Sequence, residues 1–215
     1  MTTFLLIIAG TVTAATDHLW RQSLDSFTVT HLEGLSSSSL SQVEALLQEK
    51  LVNDPICPVM DAGHPAQNIV TFMNYECIHF RPPDVKLGNL LKAYPQIAIT
   101  NKLISYGSDG SIAFTRMALA VWQHQSEKFD AFHLALIAYE GMIDCYSIRA
   151  AMRAADVHFT RVSPDTLSPQ AFNRSLIMKL GLTEIPSLLI GDNVLTGSAK
   201  YSELEGAVNA APKSS

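Results

Sequence analysis

The chain has 215 residues, of which 47% are hydrophobic and only 16% charged, so it can bury a core and is not intrinsically disordered. Its net charge of −5, from 15 Lys and Arg against 20 Asp and Glu, excludes the basic surface that nucleic-acid binding requires. Three cysteines are too few for a disulfide scaffold, and because the number is odd, at least one thiol is free or pairs outside the chain.

The N-terminal residues 1–14 predict an export signal. The apolar run Phe4–Gly10 is far shorter than the roughly 20 residues of a membrane span, and Val12-Thr13-Ala14 has the small-residue spacing of a cleavage site, although a basic start is missing. A buried N-terminal strand or a misplaced start codon are the alternatives. We therefore expect a bacterial periplasmic or other extracytoplasmic protein, in a compartment where disulfides persist.

Residues 15–52 predict an N-terminal arm that ends in a helix. The arm contains the serine run Ser36–Ser39, and apolar residues recur at helical spacing from Leu40 to Leu51. A serine ahead of this pattern is a typical N-cap. The segment is expected to be an amphipathic helix.

Residues 53–105 predict a β-α-β unit. The proline- and glycine-rich segment 53–66 is a connector, and Asn68–Asn74 is a β-branched and aromatic run expected of a strand buried on both faces. A helical pattern covers Val85–Tyr94, and a second strand is expected over Gln96–Ser105.

The remainder of the chain predicts a block of helices and then a hairpin with a closing helix. Helical patterns cover Ser111–Gln123, Lys128–Tyr139, Tyr146–Ala155 and Ser168–Leu180. Strands over Ser187–Ile190 and Val194–Leu195 flank a tight turn, and a helix follows over Tyr201–Val208. The predicted order is β-α-β, helices, β-β-α.

Cys77 stands between the first predicted strand and the helix that follows it. Unpaired N–H groups and the dipole at a helix start favour the thiolate, and His79 and Arg81 add two cationic side chains close in sequence. This pattern predicts Cys77 as a nucleophile whose thiolate is stabilised by His79. The alternative is a small buried hydrophobic residue.

Three segments resemble the DsbA-like branch of the thioredoxin superfamily: NDPICPVMDAGHPAQNIVTFMNYECIHFR before and around Cys77, KFDAFHLAL at 128–136, and GLTEIPSLLIGDNVLTGSAKYSELEGAV at 181–208. The likeness runs from about residue 40 to residue 210 in the family's order. It implies an α/β thioredoxin fold, formed by residues 53–210, with an all-helical subdomain inserted at about 106–180.

The resemblance also implies roles for individual residues. Ile185-Pro186 matches the family's cis-proline dipeptide, which lies against the active-site cysteine and offers backbone groups to a bound peptide. Phe80 stands where the family has its second cysteine, so an adduct on Cys77 must wait for an external thiol such as glutathione. Pro82 and Pro83 predict a helix start near Pro82, which would leave Cys77 outside the helix.

Two functions follow from the resemblance. The first is an exported monothiol protein of the disulfide isomerase or reductase type, acting on protein or peptide substrates with cysteines. The second is a redox-inactive binding or assembly module that keeps the peptide groove and oligomerises through the N-terminal arm, where some relatives carry an assembly stalk. A glutathione-dependent transferase or isomerase is a third interpretation, against which export argues. No cofactor is indicated.

Cys57 and Cys145 have three interpretations: a structural disulfide in an oxidising compartment, a resolving thiol for Cys77, or two unpaired thiols. The seven histidines form no H-x-x-x-H pair, so no metal site is predicted. A soft ion such as Cu(I) on Cys77 and His79 is the one alternative that the ligand chemistry supports.

Overall fold

The computed structural model describes residues 49–61, 63, 65–77, 81–106, 108–139, 144–159, 162, 166, 168–191 and 193–211. The predicted signal peptide at 1–14 lies outside the described residues, as do His79 and Phe80. Of the predicted helix Leu40–Leu51, only the end is described, and residues 49–52 are helical.

Five strands form one mixed sheet in the order β1-β3-β2-β4-β5. Strands β2 and β3 are parallel, and the other neighbouring pairs are antiparallel. The bounds are β1 Val59–Asp61, β2 Gln67–Met73, β3 Ile97–Leu103, β4 Ser187–Ile190 and β5 Asn193–Thr196.

Helix α1 joins β2 to β3, helices α2 to α5 lie between β3 and β4 in sequence, and α6 follows β5. From β2 onward, the observed order of elements is therefore the predicted order. The bounds are α1 Arg81–Ala93, α2 Asp109–His124, α3 Phe129–Ile137, α4 Cys145–Ala154, α5 Ser168–Lys179 and α6 Tyr201–Ala210, with a 3₁₀ turn at Ser126–Lys128.

The central strands are buried on both faces, as the apolar run in β2 predicts. All residues of β2 except Asn68 are buried, and β3 is buried along its whole length. Strand β1 was not predicted, because three residues in a proline- and glycine-rich connector carry no pattern of their own. It exists through antiparallel pairing with β3, where Val59 lies opposite Thr100.

Two inserted helices begin at side-chain caps. The Ser108 hydroxyl accepts a hydrogen bond from the N–H of Ser111 at 3.0 Å, which starts α2. At α4, the Asp144 carboxylate accepts from the N–H of Ser147 at 2.9 Å, and the Ser147 hydroxyl accepts from the N–H of Asp144 at 2.8 Å. Such caps contribute about 1 kcal/mol each and fix where the helices begin.

The sheet separates two hydrophobic cores. On one face, Ile69 and Met73 of β2 belong to the larger core, which includes residues of α1, α2, α3 and α6. On the other face, Val70 and Phe72 pack with Leu176 of α5. One end of the sheet, where β2 and β3 end and β4 begins, carries the loops of the candidate site.

Candidate active site

A tight turn after β2 presents Cys77. The N–H of Cys77 donates to the Asn74 carbonyl at 3.0 Å, and the N–H of Glu76 donates to Asn74 Oδ1 at 2.9 Å. The Ser111 hydroxyl donates to the same Oδ1 at 3.0 Å. The turn is thereby attached to α2, and the Cys77 side chain is left half-buried.

The Cys77 thiol faces the loop before β4. Its Sγ lies 3.6 Å from the Ile185 carbonyl oxygen, and the Ile185–Pro186 peptide bond is cis. The two loops meet because β4 runs antiparallel to β2, with Ser187 opposite Phe72. The Pro186 carbonyl accepts from the N–H of Gly197 at 2.8 Å, which holds the proline loop in place.

The structure thus brings together Cys77, Ile185 and Pro186. Helix α1 begins at Arg81, earlier than the predicted Val85 and close to the alternative start near Pro82. Two prolines fall in its first turn, where N–H groups have no partner within the helix. Cys77 precedes the helix and is not part of its first turn, so the expected effect of the helix start on the thiolate is weakened.

Two residues that the sequence analysis missed, Tyr106 and Arg174, lie at the same end of the sheet as Cys77. Because β2 and β3 are parallel, the residues that follow both strands lie at one edge of the sheet. Partial burial raises the pKa of the Tyr106 phenol, the charge of Arg174 opposes this shift, and that of Cys77 adds to it. The position of Tyr106 directly after the second predicted strand was the available signal.

Glu76 is the acidic neighbour of Cys77 in the chain. Its Oε2 accepts a hydrogen bond from the Ser108 hydroxyl at 2.5 Å. Ser108 is the N-cap of α2, and the positive end of a helix dipole favours a carboxylate there. The Glu76 charge is therefore directed to the start of α2.

A buried pair of aromatic rings, Tyr75 and His133, packs beneath the turn that presents Cys77, on the side of the larger hydrophobic core. The Tyr75 hydroxyl lies 2.7 Å from His133 Nδ1, and both side chains are buried. The His133 ring stacks on Phe129 with ring centroids 5.4 Å apart. These contacts join the end of β2 to α3 of the inserted helices.

Cys57 lies in a buried polar cluster on the face of the sheet that packs against α5. Its Sγ is 3.5 Å from Lys102 Nζ, 3.6 Å from Asp54 Oδ2 and 3.8 Å from Asn173 Oδ1. Burial raises the pKa of the Cys57 thiol to about 11, although the charge of Lys102 acts in the opposite direction. At neutral pH Cys57 is a protonated thiol.

Of the three interpretations of Cys57 and Cys145, the structure corresponds to two unpaired thiols, since all three cysteines are free. Cys57 has no exposed surface and is enclosed by its polar neighbours, whereas Cys145 is exposed at the start of α4. The same enclosure prevents Cys57 from serving as the resolving thiol for Cys77.

In the described part of the chain, no group of three His, Cys, Asp or Glu residues is placed to hold a metal ion. None of the helices in that part is long and apolar enough to cross a membrane. The Cys77–His79 alternative is not tested, since His79 lies outside the described residues.

A sheet of this order, with helices inserted between β3 and β4 and a cis-proline loop against a cysteine, defines a thioredoxin fold with a helical insertion. A periplasmic thioredoxin-like protein from Salmonella enterica serovar Typhimurium has the same fold, with a TM-score of 0.72 and 26% identity over 76% of this chain and 94% of that one.

Two other solved structures are similar. The catalytic domain of Proteus mirabilis ScsC has a TM-score of 0.71 and 28% identity over 78% of this chain and 96% of that one. A thioredoxin-like oxidoreductase from Silicibacter pomeroyi has a TM-score of 0.62 and 25% identity over 75% and 95%, respectively. No protein-family model matches the sequence, and no curated protein is significantly similar to it. These similarities show that the chain has a DsbA-like thioredoxin fold.

Proposed function

We propose that this protein is an extracytoplasmic thiol–disulfide exchange protein that acts through one thiol, that of Cys77. The contact of Cys77 Sγ with the Ile185 carbonyl oxygen at 3.6 Å carries this proposal. It combines a half-buried, reachable thiol with a stretch of backbone that can align a substrate strand. The description of one similar structure as a thioredoxin-like oxidoreductase supports the reaction class.

The exchange step needs no reagent beyond the substrate. The Cys77 thiolate attacks one sulfur of a substrate disulfide, the new S–S bond forms, and the old one breaks. The departing sulfur keeps the bonding electrons and leaves as a thiolate, which then takes a proton. Because Phe80 occupies the position of the family's second cysteine and Cys57 is enclosed, an external thiol resolves the adduct in the same way. This cycle suits a monothiol isomerase or reductase.

Two independent observations support an extracytoplasmic location. Residues 1–14 predict export, and one similar structure is described as periplasmic. Disulfides persist in such compartments, so substrates for exchange are available there. We therefore propose protein or peptide substrates with cysteines, and glutathione or another protein thiol as the resolving partner.

A comparison of two exposed-thiol variants tests the function. Cys145→Ser retains Cys77, and Cys77→Ser retains Cys145, which is exposed and has no peptide-aligning backbone assigned to it. Two probes are used, a cysteine peptide and a small aliphatic thiol, each joined to thionitrobenzoate through a disulfide. Each variant is mixed with each probe in turn, and the release of thionitrobenzoate is followed by absorbance. The peptide probe is expected to react faster than the small one only with Cys77.

Equal preference at Cys77 and Cys145 would contradict a peptide-directed site. A Cys77 that reacts with neither probe would favour the binding-module alternative, in which the peptide groove remains without thiol chemistry. Binding of a serine-substituted peptide to Cys77→Ser would then be the deciding measurement.

A second test restores the family's spacing. Phe80→Cys places a thiol three positions after Cys77, as in a Cys-x-x-Cys site, and we expect this variant to reduce insulin disulfides catalytically in the presence of dithiothreitol. The matched control is Phe80→Ser, which removes the phenyl ring without adding a thiol. An inactive Phe80→Cys variant would mean that the early prolines have altered the spacing between the two thiols.

A further inference from the structure

Helix α5 presents an exposed face near the candidate site. Ala171, Arg174 and Met178 are exposed, and their spacing of three and four residues puts them on one side of the helix. The side chain of Met178 is 75% exposed. Asn173 and Leu176 point the other way and are buried against the sheet. Among the described residues, nothing covers the exposed face.

Arg174 connects this face to the end of β3. Its Nη2 donates to the Ser105 carbonyl and lies 3.5 Å from the Ser105 hydroxyl. The Ser105 hydroxyl is itself hydrogen-bonded to Gln170 Oε1. Tyr106 follows Ser105 directly and is 58% exposed, and its N–H donates to the Ser111 hydroxyl, which itself donates to Asn74 in the turn before Cys77. The exposed residues Tyr106, Arg174 and Met178, called the Arg174 surface, therefore extend along α5 from the end of the sheet that carries Cys77.

The Arg174 surface carries a positive charge. No carboxylate pairs with Arg174 within the part of the chain that the structure describes. A guanidinium has five N–H donors, and among the described residues only those on Nη2 have acceptors, so the donors on Nε and Nη1 are available to a carboxylate. Glu76 does not neutralise it, since its carboxylate is bound to Ser108.

The dimensions of the surface fit an extended chain. Arg174 and Met178 are separated by about 6 Å along the helix axis, and two residues of extended polypeptide cover about 6.6 Å. Alternate side chains of one strand can therefore reach both positions. We propose, resting on the function proposed above, that the Arg174 surface binds an acidic segment of the substrate polypeptide, with a carboxylate on Arg174 and an apolar side chain on Met178.

The test uses two peptides that differ in charge. In one peptide, the order Glu, Ala, Leu runs outward from the cysteine on both sides, so the peptide presents the same side chains in either chain direction. The other peptide has Lys in place of each Glu. Both carry thionitrobenzoate on the cysteine and are mixed with Cys145→Ser. The Glu peptide is expected to react about fivefold faster at low ionic strength, and the difference should shrink at 0.5 M salt, because exposed charges are screened.

Charge reversal identifies the residue. Arg174→Glu in the same background should reverse the preference, so that the Lys peptide reacts faster. The control is Arg153→Glu, which reverses an exposed arginine of α4 and should leave the preference unchanged. Equal rates for both peptides, or a preference that survives Arg174→Glu, would overturn the proposal.

Failure of the proposed function gives a different result. If Cys77 reacts with neither peptide, thiol exchange is wrong, and the surface is tested without it. Serine versions of both peptides are then titrated against Cys77→Ser by fluorescence anisotropy. Tighter binding of the Glu peptide, lost in the Cys77→Ser/Arg174→Glu variant, supports the surface, and equal binding overturns it.

Discussion

The regions around Cys77 and Cys57 place a cysteine thiol in two different environments. Cys77 is half-buried at the open end of the sheet, where its Sγ meets a neutral backbone carbonyl. Cys57 has no exposed surface and lies 3.5 Å from a lysine ammonium. The nearby cation does not activate Cys57, because burial raises its pKa and Asp54 shares the cation. We therefore expect access at the end of the sheet, rather than the closest positive charge, to determine which thiol takes part in exchange.

The Cys57 region joins the segment before β1 to the sheet. Lys102, which is completely buried in β3, donates to the Lys50 carbonyl at 2.5 Å and lies 3.4 Å from Asp54 Oδ2. The Thr100 hydroxyl donates to the Val52 carbonyl at 3.0 Å. These contacts attach residues 50–57 to the sheet. We expect changes there to alter stability and changes at Cys77 to alter reactivity.

The largest expected effect is the loss of exchange in Cys77→Ala. In a Cys145→Ser background, this change should reduce release of thionitrobenzoate from a peptide disulfide by at least about 100-fold, since no accessible thiolate remains to attack. Cys57→Ala in the same background should stay within about twofold, because an enclosed, protonated thiol does not contribute. Comparable losses in both variants would remove the distinction between the two regions.

Removal of the buried cation should give the largest change in stability. Lys102→Met leaves the Asp54 carboxylate, which is 1% exposed, with the half-exposed Lys50 as its one cationic partner among the described residues. Breaking a buried ion pair in this way lowers the free energy of unfolding by about 3 to 5 kcal/mol. Urea denaturation measures the loss, and Lys92→Met, at an exposed lysine, should stay within about 0.5 kcal/mol.

The double variant Asp54→Asn/Lys102→Met sharpens this result. It removes both charges, so its loss should be smaller than the sum of the two single losses. A Lys102→Met variant that loses less than about 1 kcal/mol would mean that Asp54 finds compensation elsewhere.

The sequence predicted most of the fold because its longer elements have strong patterns. The run in β2 indicated burial on both faces, and the helical spacing of the inserted block located its helices. It did not predict β1, whose three residues depend on pairing with β3. It also did not predict that Asn101 and Lys102 are buried, since their partners Thr71 and Asp54 lie far away in sequence.

The same limit applies to the candidate site. Cys77 and the pair Ile185-Pro186 were identified from a motif, and the structure brings them together. Tyr106 and Arg174 belong to no motif. They lie at the same end of the sheet because β2 and β3 are parallel and because α5 packs against the sheet. The sequence left the pairing of Cys57 and Cys145 open, because residue type and compartment do not determine burial.

The next prediction concerns how the stability of the protein depends on pH through the buried Cys57 thiol. The pKa of Cys57 is raised by burial from 9.0 to about 11, so between these values the folded chain retains a proton that the unfolded chain releases. The free energy of unfolding should therefore fall as pH rises from 9 to 11, by about 2 kcal/mol more than in Cys57→Ala. Urea denaturation of both proteins at pH 9, 10 and 11 gives this difference, because other titrating groups contribute equally to the two proteins and cancel. Parallel pH profiles would contradict the burial of Cys57.

The smallest expected effect concerns the hydroxyl that joins the two loops beside Cys77. Ser111 Oγ donates to Asn74 Oδ1 at 3.0 Å and accepts from the N–H of Tyr106 at 3.3 Å, so Ser111→Ala breaks both links. The free energy of unfolding should fall by about 1 kcal/mol. Exchange at Cys77 should slow, because Asn74 holds the turn that presents the thiol. Ser175→Ala, which removes a hydroxyl bonded within α5, is the matched control and should leave exchange unchanged. If Ser111→Ala is destabilised as expected but exchanges as fast as wild type, the backbone alone positions Cys77, and the link to α2 serves stability only.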